Sequence, residues 1–172
     1  GIDDGHLPTD VPVALGGGRR GALGQVGRQL VHQRAYAAHV LQLLELASQW
    51  RGDPTSDLPA IVGADLNAVS DSAEVRMLTG REPGAPGIVF SDAWEQVGDG
   101  AGATWCPTNP YAADSAWPNR RIDYVLVSWP RPKPTGNPIT AELVGTGPVD
   151  VDGTAVWPSD HAAVVVDITT PH

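Results

Sequence analysis

Three polar clusters in this 172-residue chain carry the residue types that phosphate chemistry needs. Asp65 and Asn67 follow the apolar run Pro59-Ala60-Ile61-Val62-Gly63-Ala64. Asp123 is embedded near the start of Arg121-Ile122-Asp123-Tyr124-Val125-Leu126-Val127-Ser128. Asp160 and His161 stand immediately before the apolar run 162–168. Carboxylates hold a divalent cation, an imidazole moves or stabilises a proton, and together they position water beside a phosphate. Each cluster alone also fits a plainer role. Asp65-Leu66-Asn67 can be a turn, Asp123 an edge residue paired with Arg120 or Arg121, and Ser159-Asp160 a cap. A carboxylate inside an apolar strand is costly unless it is paired, so the three clusters are best explained together.

Strands must place them. The runs 60–64, 121–128, 139–144 and 162–168 are short, apolar and rich in β-branched residues, which predicts buried strands. Residues 25–50 carry an amphipathic helix, with Ala37, Val40, Leu41, Leu44 and Ala47 on one stripe, stopped by Arg51-Gly52-Asp53-Pro54. Asp71-Ser72-Ala73-Glu74 reads as an N-cap opening a two-turn helix through Val75 and Leu78, closed by Gly80. Segment 81–120 reads as loop with scattered aromatics, and 130–138 as a proline-rich loop. This order predicts a layered α/β domain with a mixed sheet. Its domain organisation is a flexible segment over 1–24 followed by one domain over 25–172.

Bulk composition narrows the function. Hydrophobic residues make up 41% and charged residues 18% of the chain, a globular composition. No apolar run is long enough to span a membrane, and the acidic start Gly1-Ile2-Asp3-Asp4-Gly5 is unlike a signal peptide. The net charge is −9, and ten of the eleven basic residues are Arg. That disfavours a broad basic surface for duplex binding, although a bound cation can supply positive charge locally. The single cysteine, Cys106, allows no intrachain disulfide, so both redox compartments stay open; with no basic neighbour in sequence it reads as a packing residue.

Val62-Gly63-Ala64-Asp65-Leu66-Asn67 resembles the Gly-Asp-x-Asn motif of the endonuclease/exonuclease/phosphatase (DNase I-like) superfamily, with Ala64 inserted. Arg121-Ile122-Asp123-Tyr124 resembles that family's Arg-Ile-Asp-Tyr strand, Ser159-Asp160-His161 its closing Ser-Asp-His, and Thr104-Trp105 its Thr-Trp element. The resemblance spans about residues 30 to 168. It implies a metal-dependent hydrolase that cleaves phosphodiester bonds, using Mg2+ or Mn2+. Asp123 would fix the tautomer of His161. His161 would act on the phosphate as general base or as stabilising imidazolium. Asp65 would orient or deprotonate water, Asn67 would hold a phosphate oxygen or the Asp65 carboxylate, and Asp160 would bind the metal. His6-Leu7 resembles the family's Thr-His-Leu strand end, which implies a phosphate contact for His6. His32 and His39, on the long helix, read as non-catalytic.

The resemblance also implies a fold: part of a four-layer α/β/β/α sandwich whose N-terminal half, including a metal-binding Glu, is missing here. A whole domain of this type runs to about 250 residues. Half a sandwich exposes an apolar sheet face, which predicts self-association or a complementary N-terminal half as partner. With Asp160 as the only assigned ligand, the chain alone is expected to bind metal weakly and to show little hydrolysis. The expected substrate is a phosphoester, with nucleic acid among the candidates because Trp105, Tyr111 and Trp117 can stack bases. Two alternatives stand beside the phosphodiesterase: a phosphomonoesterase or lipid-headgroup phosphodiesterase on the same scaffold, and a catalytically silent binding module.

Overall fold

The computed structural model describes residues 36–50, 52, 53, 55–114 and 116–170. The expectations for segment 1–24, His6, His32 and the start of the long helix lie outside these residues. The helix α1 is present over 36–50. It buries Val40, Leu44 and Ala47 at spacings of four and three, which places them on one face. Leu41, assigned to that stripe from sequence, is 42% exposed; Leu43 packs on the core instead.

The first sheet has the order β1-β3-β2, formed by β1 (Ile61–Asp65), β2 (Val89–Asp92) and β3 (Asp123–Trp129). β3 is central and antiparallel to both neighbours. Its Tyr124 and Leu126 join Phe90 of β2 in a core with Val40 and Leu44 of α1 and with Val75 and Leu78 of α2 (Ala73–Leu78). Leu44, Leu78 and Leu126 are fully buried; truncating such a side chain to Ala costs about 2–5 kcal/mol. α2 starts one residue later than the sequence suggests. Ser72, not Asp71, is the N-cap, and its hydroxyl accepts the Val75 N–H at 3.4 Å. Gly80 ends the helix at a positive φ of 74°, where a Cβ would meet the Val89 side chain at 2.9 Å.

A second sheet pairs β4 (Pro138–Val144) with β7 (Ala163–Ile168), and β7 also lies against β3. All pairings among the described residues are antiparallel, which corrects the expected mixed sheet. Only β5 (Val149–Val151) and β6 (Thr154–Val156) are sequential strands joined by a tight turn; β1 and β3, and β4 and β7, pair across intervening elements. Ile61 of β1, Ile139 of β4 and Val165 of β7 stay exposed.

Four elements escape the reading of the sequence. β2 and α3 (Ala93–Val97) fall in the stretch expected to be loop. Both are short, and Asp92 joins them by ending the strand and capping the helix, with its Oδ1 accepting the Trp94 N–H at 3.0 Å. The hairpin of β5 (Val149–Val151) and β6 (Thr154–Val156) turns on Asp152-Gly153, with φ of 52° and 80°. Asp-Gly between alternating residues is a strong short-range hairpin signal. No helix among the described residues is long and apolar enough to cross a membrane.

Candidate active site

β1 and β3 run antiparallel in a register that sets Asp65 directly opposite Asp123. Opposed residues project from the same sheet face, so two carboxylates separated by 58 positions in sequence share one rim. The ladder continues beyond the strands, since the Leu66 N–H donates to the Ile122 carbonyl at 2.8 Å.

His161 reaches the same rim from the lead-in to β7. Residues 104 and 105 form the brace. Trp105 is bridged to Arg120 on one side and to His161 on the other, and the Ala162 N–H donates to the Thr104 carbonyl at 2.7 Å. The buried Thr104 hydroxyl accepts the N–H groups of both Ile122 and Asp123 at 3.2 Å. A second brace comes from Asn109, also buried, which donates from Nδ2 to the Ser159 carbonyl at 2.7 Å. Sequence reading gave Thr104 no role beyond a motif match and missed Asn109, whose Asn-Pro context signals only a turn.

These supports bring His161 Nδ1 to 2.8 Å from Asp123 Oδ2. Donation from Nδ1 to the carboxylate fixes the tautomer and leaves Nε2 as the free nitrogen. Asp160 Oδ2 lies 3.9 Å from Nε2, on a side chain that is half exposed. Burial is the largest single influence on His161 and pulls its pKa down. The Asp123 hydrogen bond and the charges of Asp123, Asp160 and Asp65 together outweigh it, and the imidazole is held above its ordinary 6.5.

Asn67 clasps Asp65. Its backbone N–H donates to Oδ1 at 2.8 Å and its Nδ2 to Oδ2 at 3.1 Å. The clasp requires a left-handed backbone, with φ of 49° at Asn67, a conformation that Asn tolerates better than most residues. Arg120 donates to the Asn67 carbonyl at 3.2 Å. Arg121 turns away from the site and pairs with the buried Asp92 at 2.6 Å. Asp123 is therefore paired with His161, not with either arginine.

Ligand atoms of Asp65, Asp123 and His161 lie within 4.8 Å of one another. Two carboxylates and an imidazole, with Asp160 beside them, are a donor set that fits a divalent cation. His39, on α1, is not among these ligand atoms and lines a recess with Asp65 and Leu66. Cys106 is half-buried, and burial raises its thiol pKa, as suits a packing residue.

The model of the Endonuclease/Exonuclease/phosphatase family matches residues 3–161. No curated protein matches the chain.

Proposed function

Because the chain belongs to the endonuclease/exonuclease/phosphatase family, whose members hydrolyse phosphoester bonds, we propose that it cleaves phosphodiesters by His161-assisted attack of water. The observation that carries this reading is the Asp123–His161 hydrogen bond of 2.8 Å, set beside Asp65 at the same sheet rim. Asp123 keeps Nδ1 protonated and stabilises the imidazolium. Nε2 of His161 takes the proton of the attacking water or holds positive charge against the phosphate. Asp65, clasped by Asn67, orients the water, and Asn67 has hydrogen-bonding capacity left for a phosphate oxygen. Asp160, with Asp65, is assigned as the holder of Mg2+ or Mn2+. A bound cation supplies charge neutralisation and alignment of the phosphate for in-line displacement. His6 remains a proposed phosphate contact.

Plasmid nicking in Mg2+, measured beside inorganic phosphate release from monoesters, tests the assignment. Nicking that disappears in His161→Ala supports a phosphodiesterase. Phosphate release without nicking favours the monoesterase reading, to which the net charge of −9 lends weight. A silent binding module is the reading left if neither reaction occurs with Mg2+ or Mn2+, alone or with a complementary N-terminal half added. The intact Asp123–His161 pair weighs against it, since a site freed from catalysis has no need of a carboxylate against an imidazole.

A further inference from the structure

His161 and Asp160 are neighbours in sequence but are held by different parts of the chain. His161 bonds Asp123 at 2.8 Å, its backbone is bridged to Trp105, and the next N–H, that of Ala162, donates to the Thr104 carbonyl at 2.7 Å. None of these contacts fixes the peptide that leads into Asp160. Ser159 and Asp160 are exposed, so packing does not fix it either. Among the described residues, one hydrogen bond ties 158–160 to a distant part of the chain. Asn109 Nδ2 donates to the Ser159 carbonyl at 2.7 Å, across 50 positions.

Asn109 is held rigidly enough to act as a fixed donor. It is 4% exposed. Its N–H donates to the Cys106 carbonyl at 3.0 Å, its carbonyl accepts the Ala112 N–H at 2.9 Å, and its Oδ1 accepts the Tyr111 N–H at 3.0 Å. A peptide bond is planar, so a fixed Ser159 carbonyl sets the direction in which Asp160 leaves it. The Ser159 hydroxyl completes the link by donating to Asp160 Oδ1 at 3.3 Å and accepting the His161 N–H at 3.1 Å. The turn also stands beside the carboxylate, since Cys106, Thr108 and Asn109 line one recess of about 60 Å³ with Asp160. We infer that Asn109 is a positioning residue for the cation site. Through the Ser159 peptide it aims the Asp160 carboxylate at the rim where Asp65, Asp123 and His161 meet. The inference rests on the assignment of Asp160 as a cation holder. Partners that orient a metal ligand are worth about 10–100-fold in metal affinity.

Mn2+ titration of the full chain, with amide exchange followed in chelator, tests the inference. Asn109→Ser keeps a side-chain oxygen for the Tyr111 N–H, as Ser does in turns, but is too short to reach Ser159. It should speed exchange of the His161 N–H about tenfold and leave the Ala162 N–H, held by Thr104, unchanged. It should also weaken Mn2+ binding about tenfold. In an Asp160→Asn background the same substitution should change Mn2+ affinity by less than about twofold, because the carboxylate it aims is gone. Ser159→Ala, at an exposed position, cuts the last link without touching the buried turn and should weaken Mn2+ binding as well. Full Mn2+ affinity in both Asn109→Ser and Ser159→Ala would overturn the inference. So would an equal loss with and without the Asp160 carboxylate, or faster exchange at His161 and Ala162 alike. No Mn2+ binding by the wild type, or binding that Asp160→Asn leaves unchanged, overturns the cation assignment of Asp160 and the inference with it. Mn2+ binding that depends on Asp160 but not on Asn109 overturns the inference alone.

Discussion

Asp65 and Asp123 are cross-strand partners at the open end of the β1–β3 ladder, a pairing of like charges that the fold alone has no reason to keep. Directly opposed like charges destabilise a sheet by roughly 0.2–1 kcal/mol; here His161 bonds Asp123 and Asn67 clasps Asp65. Asp65→Asn should weaken Mn2+ binding and so reduce the rise in melting temperature that Mn2+ gives the wild type; in chelator, relief of the like-charge repulsion is set against the loss of one acceptor for the Asn67 clasp. Thermal unfolding with and without Mn2+ checks this. A variant stabilised by Mn2+ as much as wild type would remove Asp65 from the cation site.

The imidazole of His161 is expected to titrate above 6.5 in the metal-free protein. Its folded-state value exceeds the unfolded one, so protonation stabilises the fold. That contribution is complete below about pH 6.5 and is lost as pH rises through the folded-state value. Asp123→Asn leaves at most a neutral hydrogen bond in place of the charged one and should lower the midpoint. Following the ring C–H resonances of His161 by NMR against pH reads this directly. A midpoint unmoved by Asp123→Asn would show that the pair does not form in solution. In the Mg2+-loaded protein, the same substitution should reduce kcat about 10²-fold or more.

Thr104 is a positioning residue. Thr104→Val keeps the shape of the side chain but leaves the N–H groups of Ile122 and Asp123 without their acceptor. Each buried unsatisfied donor costs about 1–3 kcal/mol. The urea midpoint should fall accordingly, and kcat should fall more than KM changes, because Asp123 loses its anchor. Thr104→Ser should recover both. Wild-type stability in the Val variant would show that the hydroxyl supports neither strand nor site.

Arg121 belongs to the same sequence motif as Asp123 yet serves the core. Its guanidinium bonds Asp92 and Glu95 and stacks on Tyr124 at 4.8 Å. The side chains of Arg121 and Asp92 are 9% and 1% exposed, so Arg121→Met strands a buried carboxylate. The expected cost is about 3–5 kcal/mol, read from denaturant unfolding. Arg121→Met combined with Asp92→Asn should regain most of it, since no charge is left unpaired. A double variant no better than the single would place the cost elsewhere.

Periodicity and residue type located the supports well. β1, β3, β4 and β7 lie within two residues of the strands expected from their apolar runs, because a run of β-branched residues bounded by polar ones is a local property of the chain. β2 and α3 were not legible as separate elements. Four residues of strand followed by five of helix are too short for either period to show, and what holds them is long-range: the ladder of β2 with β3, and Arg121 reaching back to Asp92 from 29 positions away. The β5–β6 hairpin was legible in Asp152-Gly153, a turn signal that went unused. Leu41 was placed on the buried face because a stripe drawn from sequence cannot tell which edge of a helix the sheet will cover.

The amino-acid order by itself determined the candidates for the chemistry: Asp65, Asn67, Asp123, Asp160 and His161 stand in motifs that keep the order of the family they resemble, and covalent sequence is enough to state that. Only the tertiary structure decided how they are paired. Arg120 and Arg121 are the sequence neighbours of Asp123, yet its partner is His161, 38 residues away, brought there by the Thr104-Trp105 brace. A strand's direction is local, but the partner a side chain meets depends on register between strands and on loop closure, and both are set by long-range contacts that no window of sequence contains.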